Sequence, residues 1–177
     1  MRKEDAIKKF IDFSKKHPHE ATAVHEAGHM CIAKGLFPEK GWHYSMTEYG
    51  EPMVKGNGPF EFSTAKEITD IIRYCIAGIV SEAHWLGIGD YIMDILKWEL
   101  DDEKKFAESN EGSTGDCTDV EKLMATYNEW FGRDFDLAIE VKNILGTFRH
   151  KGNKQAYMAE VHAAKRYFKD KQLKFVA

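Results

Sequence analysis

The chain has 177 residues, of which 43% are apolar and 12% aromatic, enough to bury one sizeable hydrophobic core. This composition excludes a disordered or low-complexity chain. Acidic residues (29) outnumber basic ones (25), giving a net charge of −4, which argues against a dedicated nucleic-acid binder and against a polybasic membrane anchor.

Cysteine usage and hydropathy indicate the kind of protein. Three cysteines are an odd count in a domain large enough not to need disulfides, so a reducing compartment such as the cytoplasm fits best. The most apolar stretch, 68–96, is interrupted by charged residues, and the charged N-terminus does not resemble a secretory signal. We therefore expect one globular domain over residues 1–177, with no membrane span.

Apolar spacing predicts a mainly α (α+β) fold. The first fifteen residues predict a short helix, and a second helix is expected over about 19–34, where Glu26 is the one charged residue between positions 21 and 33. That second helix should be buried on most of its surface. Alternation followed by glycines and prolines predicts a small β-hairpin or sheet within about 41–62.

The second half of the chain predicts further helices. Thr64 and Glu67 form a capping box before an amphipathic helix over about 64–86. Helical spacing also predicts a helix over about 116–131 and two C-terminal helices within about 134–169. The polar segment 101–115 is expected to be a surface loop.

The expected chemistry lies on the buried second helix, which contains the H-E-x-x-H pattern His25-Glu26-Ala27-Gly28-His29. Residues four apart share one face of a helix, so both imidazoles can bind one metal ion, and zinc suits this ligand pair. Glu26 lies next to His25 and can act as general base towards a water activated by the metal. The pattern predicts one zinc ion per chain.

A catalytic zinc ion of this kind needs a third protein ligand. The extended metzincin pattern requires glycine and histidine at positions 32 and 35, which here are Ile32 and Gly35, so that class is excluded. The residues leave several candidates open. They are Glu82, Asp116, Asp119 and, less favourably, Cys117.

Three segments then resemble one family in the same order along the chain. The segment 22–29 (TAVHEAGH) is similar to the zinc helix of the FtsH-type ATP-dependent proteases, the M41 peptidase family. The segment 76–83 (IAGIVSEA) resembles that family's G-G-x-x-A-E-E helix, and 113–121 (STGDCTDVE) its T-G-A-x-x-D-[LI] stretch. The resemblance implies a zincin-like helical peptidase domain in which Asp119 is the third zinc ligand.

The chain also departs from that family. The P-R-G stretch is not recognisable, one glycine and one glutamate of the second motif are replaced, and 90–112 resemble an insertion. No G-x-x-x-x-G-K-[ST] phosphate loop of an AAA+ ATPase is present in the sequence. We therefore expect an ATP-independent, free-standing peptidase domain, with a separate ATPase or adaptor as a possible partner and a homo-oligomer as a possible state.

The sequence thus predicts a zinc-dependent endopeptidase that cuts unfolded or flexible polypeptides. Glu82 is expected to be an alternative ligand, a hydrogen-bond partner of a ligand histidine, or neither. Trp42 and Tyr44 are candidates for one wall of the substrate cleft, because a strand edge can hold an extended peptide. Two alternatives remain: a catalytically silent binding or adaptor module, and a regulatory domain whose structural zinc is closed by Cys117.

Overall fold

The computed structural model describes residues 1–48, 50–109, 116–169 and 171, with the backbone alone for 102–109 and 116–118. The described residues are mainly helical, with a small two-stranded antiparallel sheet. The helices are α1 (Lys3–Lys16), α2 (Pro18–Leu36), α3 (Ala65–Trp85), α4 (Ile92–Ser109), α5 (Asp116–Phe131), α6 (Leu137–Arg149) and α7 (Lys151–Lys169); the strands are β1 (His43–Met46) and β2 (Pro52–Lys55). The expected fold class is confirmed.

Helix α2 lies at the centre of the molecule, packed mainly against α3 and α7. It begins at Pro18, whose fixed φ and missing N–H suit the first turn of a helix. Its buried side chains include the apolar Val24 and Met30 and also the polar Glu26 and His29. The expectation that this helix is buried on most of its surface is therefore correct.

The contact between α2 and α3 is unusually close at Gly28. A Cβ at this position would lie 2.4 Å from the carbonyl oxygen of Ala77 and 2.5 Å from the Cβ of Ser81. The Ser81 hydroxyl also donates a 2.6 Å hydrogen bond to the carbonyl of Val24. The two helices therefore meet backbone to backbone, one turn from His25.

Helix α3 begins and ends as its sequence predicts. The Thr64 hydroxyl accepts a hydrogen bond from the Glu67 amide, and the Glu67 carboxylate accepts one from the Thr64 amide, which completes the capping box. Gly87 follows the helix with φ of 68°, a conformation that glycine adopts without strain. Between these ends an apolar stripe faces the core.

The predicted hairpin is present. Strands β1 and β2 pair antiparallel, with His43 opposite Lys55 and Met46 opposite Pro52. Beside it Trp42 packs in an aromatic cluster made of Phe37, Trp42, Phe60 and Tyr74. This aromatic cluster connects the hairpin to α3, because Tyr74 belongs to α3 and its hydroxyl donates to the Val54 carbonyl at 3.1 Å.

The expected surface loop over 101–115 is wrong for residues 101–109, which continue α4. Ile92, Ile95 and Leu96 bury the first turns of this helix in the core. Because helix formation is cooperative, an anchored first half extends into the acidic, lysine-containing half that follows. Residues 110–115 lie outside the described part of the chain.

Two further observations concern membrane spans and the cysteines. Within the described residues, no helix combines the length and the apolar character that crossing a bilayer requires. Cys31 and Cys75 are free thiols, and the Cys117 side chain lies outside the described part. Burial raises the pKa of Cys31 to about 12, so its thiol is unreactive at neutral pH.

Candidate metal centre

His25 and His29 lie one turn apart on α2 and face each other. Their Nε2 atoms are 3.0 Å apart, and their ring centroids are 4.8 Å apart. His29 is 3% exposed, and the His25 side chain is about a quarter exposed. The structure therefore brings together the two imidazoles that the sequence pattern predicts.

The opposite nitrogen of each ring has its own partner. The Nδ1 atom of His29 lies 2.8 Å from the carbonyl oxygen of Tyr74, and that of His25 lies 2.7 Å from Oε1 of Glu82. A carbonyl oxygen can only accept, so Nδ1 of His29 carries the proton; an ionised carboxylate favours the same tautomer in His25. In the neutral rings both Nε2 lone pairs then point towards one small region.

This geometry fits the first two positions of a zinc site. Two lone pairs at 3.0 Å repel unless a proton or a metal cation lies between them. A tetrahedral zinc ion with Zn–N distances of roughly 2.0–2.1 Å places its ligand nitrogens about 3.3–3.4 Å apart. A shift of a few tenths of an ångström separates the two arrangements, so the histidine pair suits zinc.

Gly78 of α3 makes room for the first histidine. A Cβ at Gly78 would lie 2.3 Å from Nε2 of His25 and 2.5 Å from both neighbouring ring carbons. Nearly equal distances to three ring atoms place this Cβ over the face of the ring, not in line with the Nε2 lone pair. The helix backbone therefore supports the imidazole without blocking its metal-binding direction.

Glu82 supports His25 from the second motif. It is 5% exposed, and its Oε2 accepts a 3.4 Å hydrogen bond from the Ser14 hydroxyl while Oε1 faces Nδ1 of His25. Of the roles left open by the sequence, this contact matches the hydrogen-bond partner of a ligand histidine. Carboxylates in that position fix the tautomer and raise the basicity of the ligand.

Glu26 and the first histidine share a cavity of about 310 Å³. Glu26 is 8% exposed and lines this cavity together with His25 and Glu82. The rest of the lining comes from the end of α1, the start of α2 and the start of β2, namely Ser14, Pro18, Ala21, Thr22 and Pro52.

The structure does not bring Asp119 to the histidines. Its side chain is 57% exposed, with Oδ1 3.7 Å from Nζ of Lys122. Among the described residues, no group of three or more His, Cys, Asp or Glu side chains could hold a metal ion. The side chains of Asp116 and Cys117 lie outside the described part, so the third ligand stays a prediction.

Trp42 and Tyr44 are not among the residues that line this cavity, although Trp42 contacts Tyr74, whose ring lies 5.1 Å from that of His29. Trp42 donates from Nε1 to the Phe37 carbonyl at 2.7 Å, within the aromatic cluster. The Tyr44 hydroxyl lies 3.0 Å from Oε2 of Glu160 on α7, and burial together with Glu160 raises the pKa of Tyr44 well above its usual value. Among the described hairpin residues, Pro52 is the one that lines the cavity.

Sequence reasoning missed three supports of the site. The Tyr74 carbonyl has no side-chain signal, because every residue carries one. Ser14 lies in the first predicted helix, outside the three segments that resemble the family motifs. Gly78 did leave a signal, since Ala77-Gly78 interrupts an otherwise bulky apolar stripe, as happens where another group approaches the backbone closely.

Comparisons of this chain with known protein families, with curated proteins and with solved structures find no match.

Proposed function

We propose that this protein is a zinc-dependent endopeptidase that hydrolyses peptide bonds in flexible polypeptides. The observation that carries the proposal is the histidine pair on α2. The Nε2 atoms of His25 and His29 converge to 3.0 Å, while both Nδ1 atoms are held by acceptors on α3. Buried polar groups arranged in this way are typical of a metal site.

Glu26 is the proposed general base. Zinc, when bound, acts as a Lewis acid that makes water reactive at neutral pH. The attacking water gives a proton to the Glu26 carboxylate, and the same proton passes to the amine nitrogen as the C–N bond breaks. Glu82 and the Tyr74 carbonyl keep the two imidazoles in the orientation and tautomer that this requires.

Asp119 is the proposed third ligand of a single zinc ion, supported by the resemblance of its segment to the T-G-A-x-x-D stretch of the M41 peptidases. The exposed position of Asp119 means that its side chain, or the start of α5, must move to reach the histidines. Asp116 remains the alternative oxygen ligand. The resemblance also supports a zincin-like domain within the helical fold.

The hairpin is the proposed support for the substrate. Among the described residues β1 and β2 pair only with each other, and Pro52 at the start of β2 borders the cavity beside His25. An extended peptide can add to such an edge through main-chain hydrogen bonds, which a stably folded protein cannot offer. A separate ATPase or adaptor, a homo-oligomer and a cytoplasmic location are further parts of the proposal.

The test combines metal content with proteolysis. We expect one zinc ion per purified chain, hydrolysis of casein, and loss of hydrolysis on chelation with recovery on adding zinc. The matched control is Glu26→Gln, which keeps the side-chain size but removes the base. It should retain zinc and lose roughly 10²–10⁴-fold in rate. A fully active Gln variant would contradict the mechanism.

One observation favours the silent binding module as a second candidate. The described residues bring two candidate ligands together, His25 and His29, and not a third. Asp119 is exposed, with its carboxylate near Lys122. A silent module would bind polypeptides without cutting them, with or without zinc. Zinc-loaded protein that leaves casein intact supports this candidate, whereas chelator-sensitive hydrolysis excludes it.

A further inference from the structure

Tyr74, near the middle of α3, contacts both the histidine pair and the hairpin. Its carbonyl oxygen accepts the hydrogen bond from Nδ1 of His29 at 2.8 Å, and its ring lies 5.1 Å from the His29 ring, centroid to centroid. At the other end of the side chain, its hydroxyl donates to the carbonyl of Val54 in β2 at 3.1 Å. One residue therefore joins a proposed metal ligand to the strand pair.

The two contacts from Tyr74 hold the His29 ring in different ways. In an α-helix the carbonyl of residue 74 already accepts from the amide of residue 78, and its second lone pair is available to His29. That hydrogen bond fixes the direction of Nδ1, while the tilted packing of the two rings limits rotation of the imidazole. The orientation of His29 therefore depends on where the Tyr74 ring lies.

The hairpin in turn depends on the Tyr74 ring. Each strand has four residues, and a two-stranded hairpin of this size is marginally stable by itself in water. Trp42 directly precedes β1 and Phe60 follows β2, and both rings lie 5.3 Å from the Tyr74 ring. With the hydrogen bond to Val54, the hairpin region thus meets Tyr74 at three places.

A second anchor holds the hairpin on its other side. The Tyr44 hydroxyl of β1 lies 3.0 Å from Oε2 of Glu160 on α7. A change at Tyr74 should therefore loosen the hairpin against α3 without detaching it from the molecule.

We propose that Tyr74 couples metal binding at the histidine pair to the order of the hairpin, so that zinc at His25 and His29 prepares the hairpin to receive a polypeptide. This inference rests on the proposed peptidase function. Coupling between two sites is reciprocal, so a hairpin that is loosened must also lower the affinity of the histidines for zinc. The supply of zinc would then regulate polypeptide binding as well as hydrolysis.

The first test compares hydrogen–deuterium exchange of the metal-free and the zinc-loaded wild type. Zinc should slow exchange of the amides in 43–46 and 52–55 about 5-fold or more, the lower end of the usual coupling between sites. None of these residues is a proposed zinc ligand, so the protection must pass through their neighbours. The amides of 137–149 in α6 are the internal reference and should change little. Hairpin exchange that zinc leaves unchanged would overturn the inference.

Variants of Tyr74 test the path of the coupling. Tyr74→Leu should lower zinc affinity about 10-fold, as expected for a lost support of a ligand, and should abolish the zinc-dependent protection of the hairpin. Tyr74→Phe keeps the ring against His29 and loses the bond to Val54, so it should retain most of the zinc affinity and less of the protection. A folded Tyr74→Leu variant that behaves like the wild type would overturn the inference.

The matched control is Tyr91→Leu. Tyr91 is also half-buried, and its hydroxyl also donates to a backbone carbonyl, that of Met1. Both readouts should stay at wild-type values. If Tyr74→Leu fails to fold, as judged by thermal unfolding, Trp42→Leu disturbs the same ring from the hairpin side and should lower zinc affinity about 5-fold. Unchanged zinc affinity in the folded Trp42→Leu variant would contradict the coupling.

Polypeptide binding gives a third readout that does not depend on turnover. At saturating zinc, Glu26→Gln should bind casein at least ~5-fold more tightly than the double variant Glu26→Gln/Tyr74→Leu, measured by calorimetry. Both proteins lack the proposed base, so neither consumes the ligand. Equal affinities would overturn the role of the hairpin in receiving the polypeptide.

The outcomes separate this inference from the proposed function. A chain that binds no zinc would overturn both. Zinc-dependent hydrolysis of casein without protection of the hairpin would overturn the inference alone. Protection of the hairpin by zinc without hydrolysis would support the coupling and contradict the peptidase.

Discussion

The carboxylate of Glu82 lies 2.7 Å from Nδ1 of His25, across the contact between α3 and α2. The contact joins the histidine motif on α2 to α3, a largely apolar helix that buries two acids, Asp70 and Glu82. It fixes the ring so that Nε2 faces His29. In the proposed zinc site, the metal affinity should therefore depend on Glu82 as the partner of a ligand.

Replacement of Glu82 tests this dependence. Glu82→Ala should weaken zinc binding about 10–100-fold, the usual cost of losing such a partner, without emptying the site. Glu82→Gln keeps an oxygen acceptor for Nδ1 and should recover most of the affinity. Competition with a zinc-binding dye measures all three proteins. An empty site in the Gln variant would instead indicate that Glu82 is a ligand.

The proposed ligand role of Asp119 can be tested in the same assay. Asp119→Ala should lower zinc occupancy more sharply than Glu82→Ala, because a lost ligand costs more than a lost partner of a ligand. Lys122→Ala is the matched control, since it removes the ion pair of Asp119 and leaves the carboxylate in place. Full zinc occupancy in Asp119→Ala would show that another residue is the third ligand.

Gly78 offers a test of the helix contact. Gly78→Ala places a Cβ where the His25 ring now lies, so the ring must shift and zinc affinity should fall at least ~10-fold. Overpacking of this kind also costs roughly 1–3 kcal/mol in the free energy of unfolding.

The matched control for that substitution is Gly146→Ala in α6. Gly146 is exposed, and an added Cβ there meets no atom within 4 Å. Replacing glycine by alanine inside a helix should stabilise the chain by about 0.5–1 kcal/mol. Urea unfolding of both variants measures the difference. Equal effects at the two positions would show that the tight contact at Gly78 has no energetic consequence.

The stability of the chain should fall in mild acid because of His84. Burial, with smaller effects from Arg149 and Lys154, holds the pKa of His84 below its usual value of 6.5. The unfolded chain therefore takes up this proton at a higher pH than the folded chain, and stability is lost as the pH falls below about 6.5. His84 packs against Phe148 and Tyr157, which explains its burial.

The measurement compares the wild type with His84→Gln by urea unfolding at several pH values. The variant should lose less stability between neutral pH and mild acid. His25 and His29 are present in both proteins, so their contribution cancels in the difference. Parallel profiles would contradict the assigned role of His84.

The last prediction concerns whether the substrate protein is folded or unfolded. The chain should cut an unfolded protein and leave the same protein intact when it is stably folded, because the proposed substrate site beside the hairpin takes an extended segment. A protein with a reducible disulfide supplies both forms from one sequence, and gel analysis follows the cleavage. Equal cleavage rates on the folded and the unfolded form, without ATP or a partner, would contradict the requirement for an unfolded substrate.

Local patterns predicted the parts of the fold and site that depend on near neighbours. The Thr64–Glu67 capping box and the His25–His29 pair span three and four residues, so their geometry follows from the helix itself. The contact between Glu82 and His25 depends on how α2 crosses α3, which helix periodicity does not define. For this reason the sequence left several roles open for Glu82.

The regions that sequence analysis missed lack a local signal. Residues 101–109 are polar enough for a loop, and their helical state follows from the buried turn at Ile92, Ile95 and Leu96 that precedes them. The placement of Trp42 in the aromatic cluster depends on Phe60 and Tyr74, which are distant in sequence. The alternation of apolar and polar residues indicated a strand near Trp42, but it did not indicate which side chains the Trp42 ring would contact.

The two glycines at the helix crossing also provide a criterion for identifying distant relatives of this chain. Two histidines four residues apart are a short pattern, whereas this helix crossing also needs two glycines: Gly28 admits the backbone of α3, and Gly78 leaves room for the His25 ring. A diverged sequence that keeps the histidines and replaces either glycine by a bulky residue cannot seat its first imidazole in this way. The glycines, more than the histidines, would then distinguish common ancestry from coincidence.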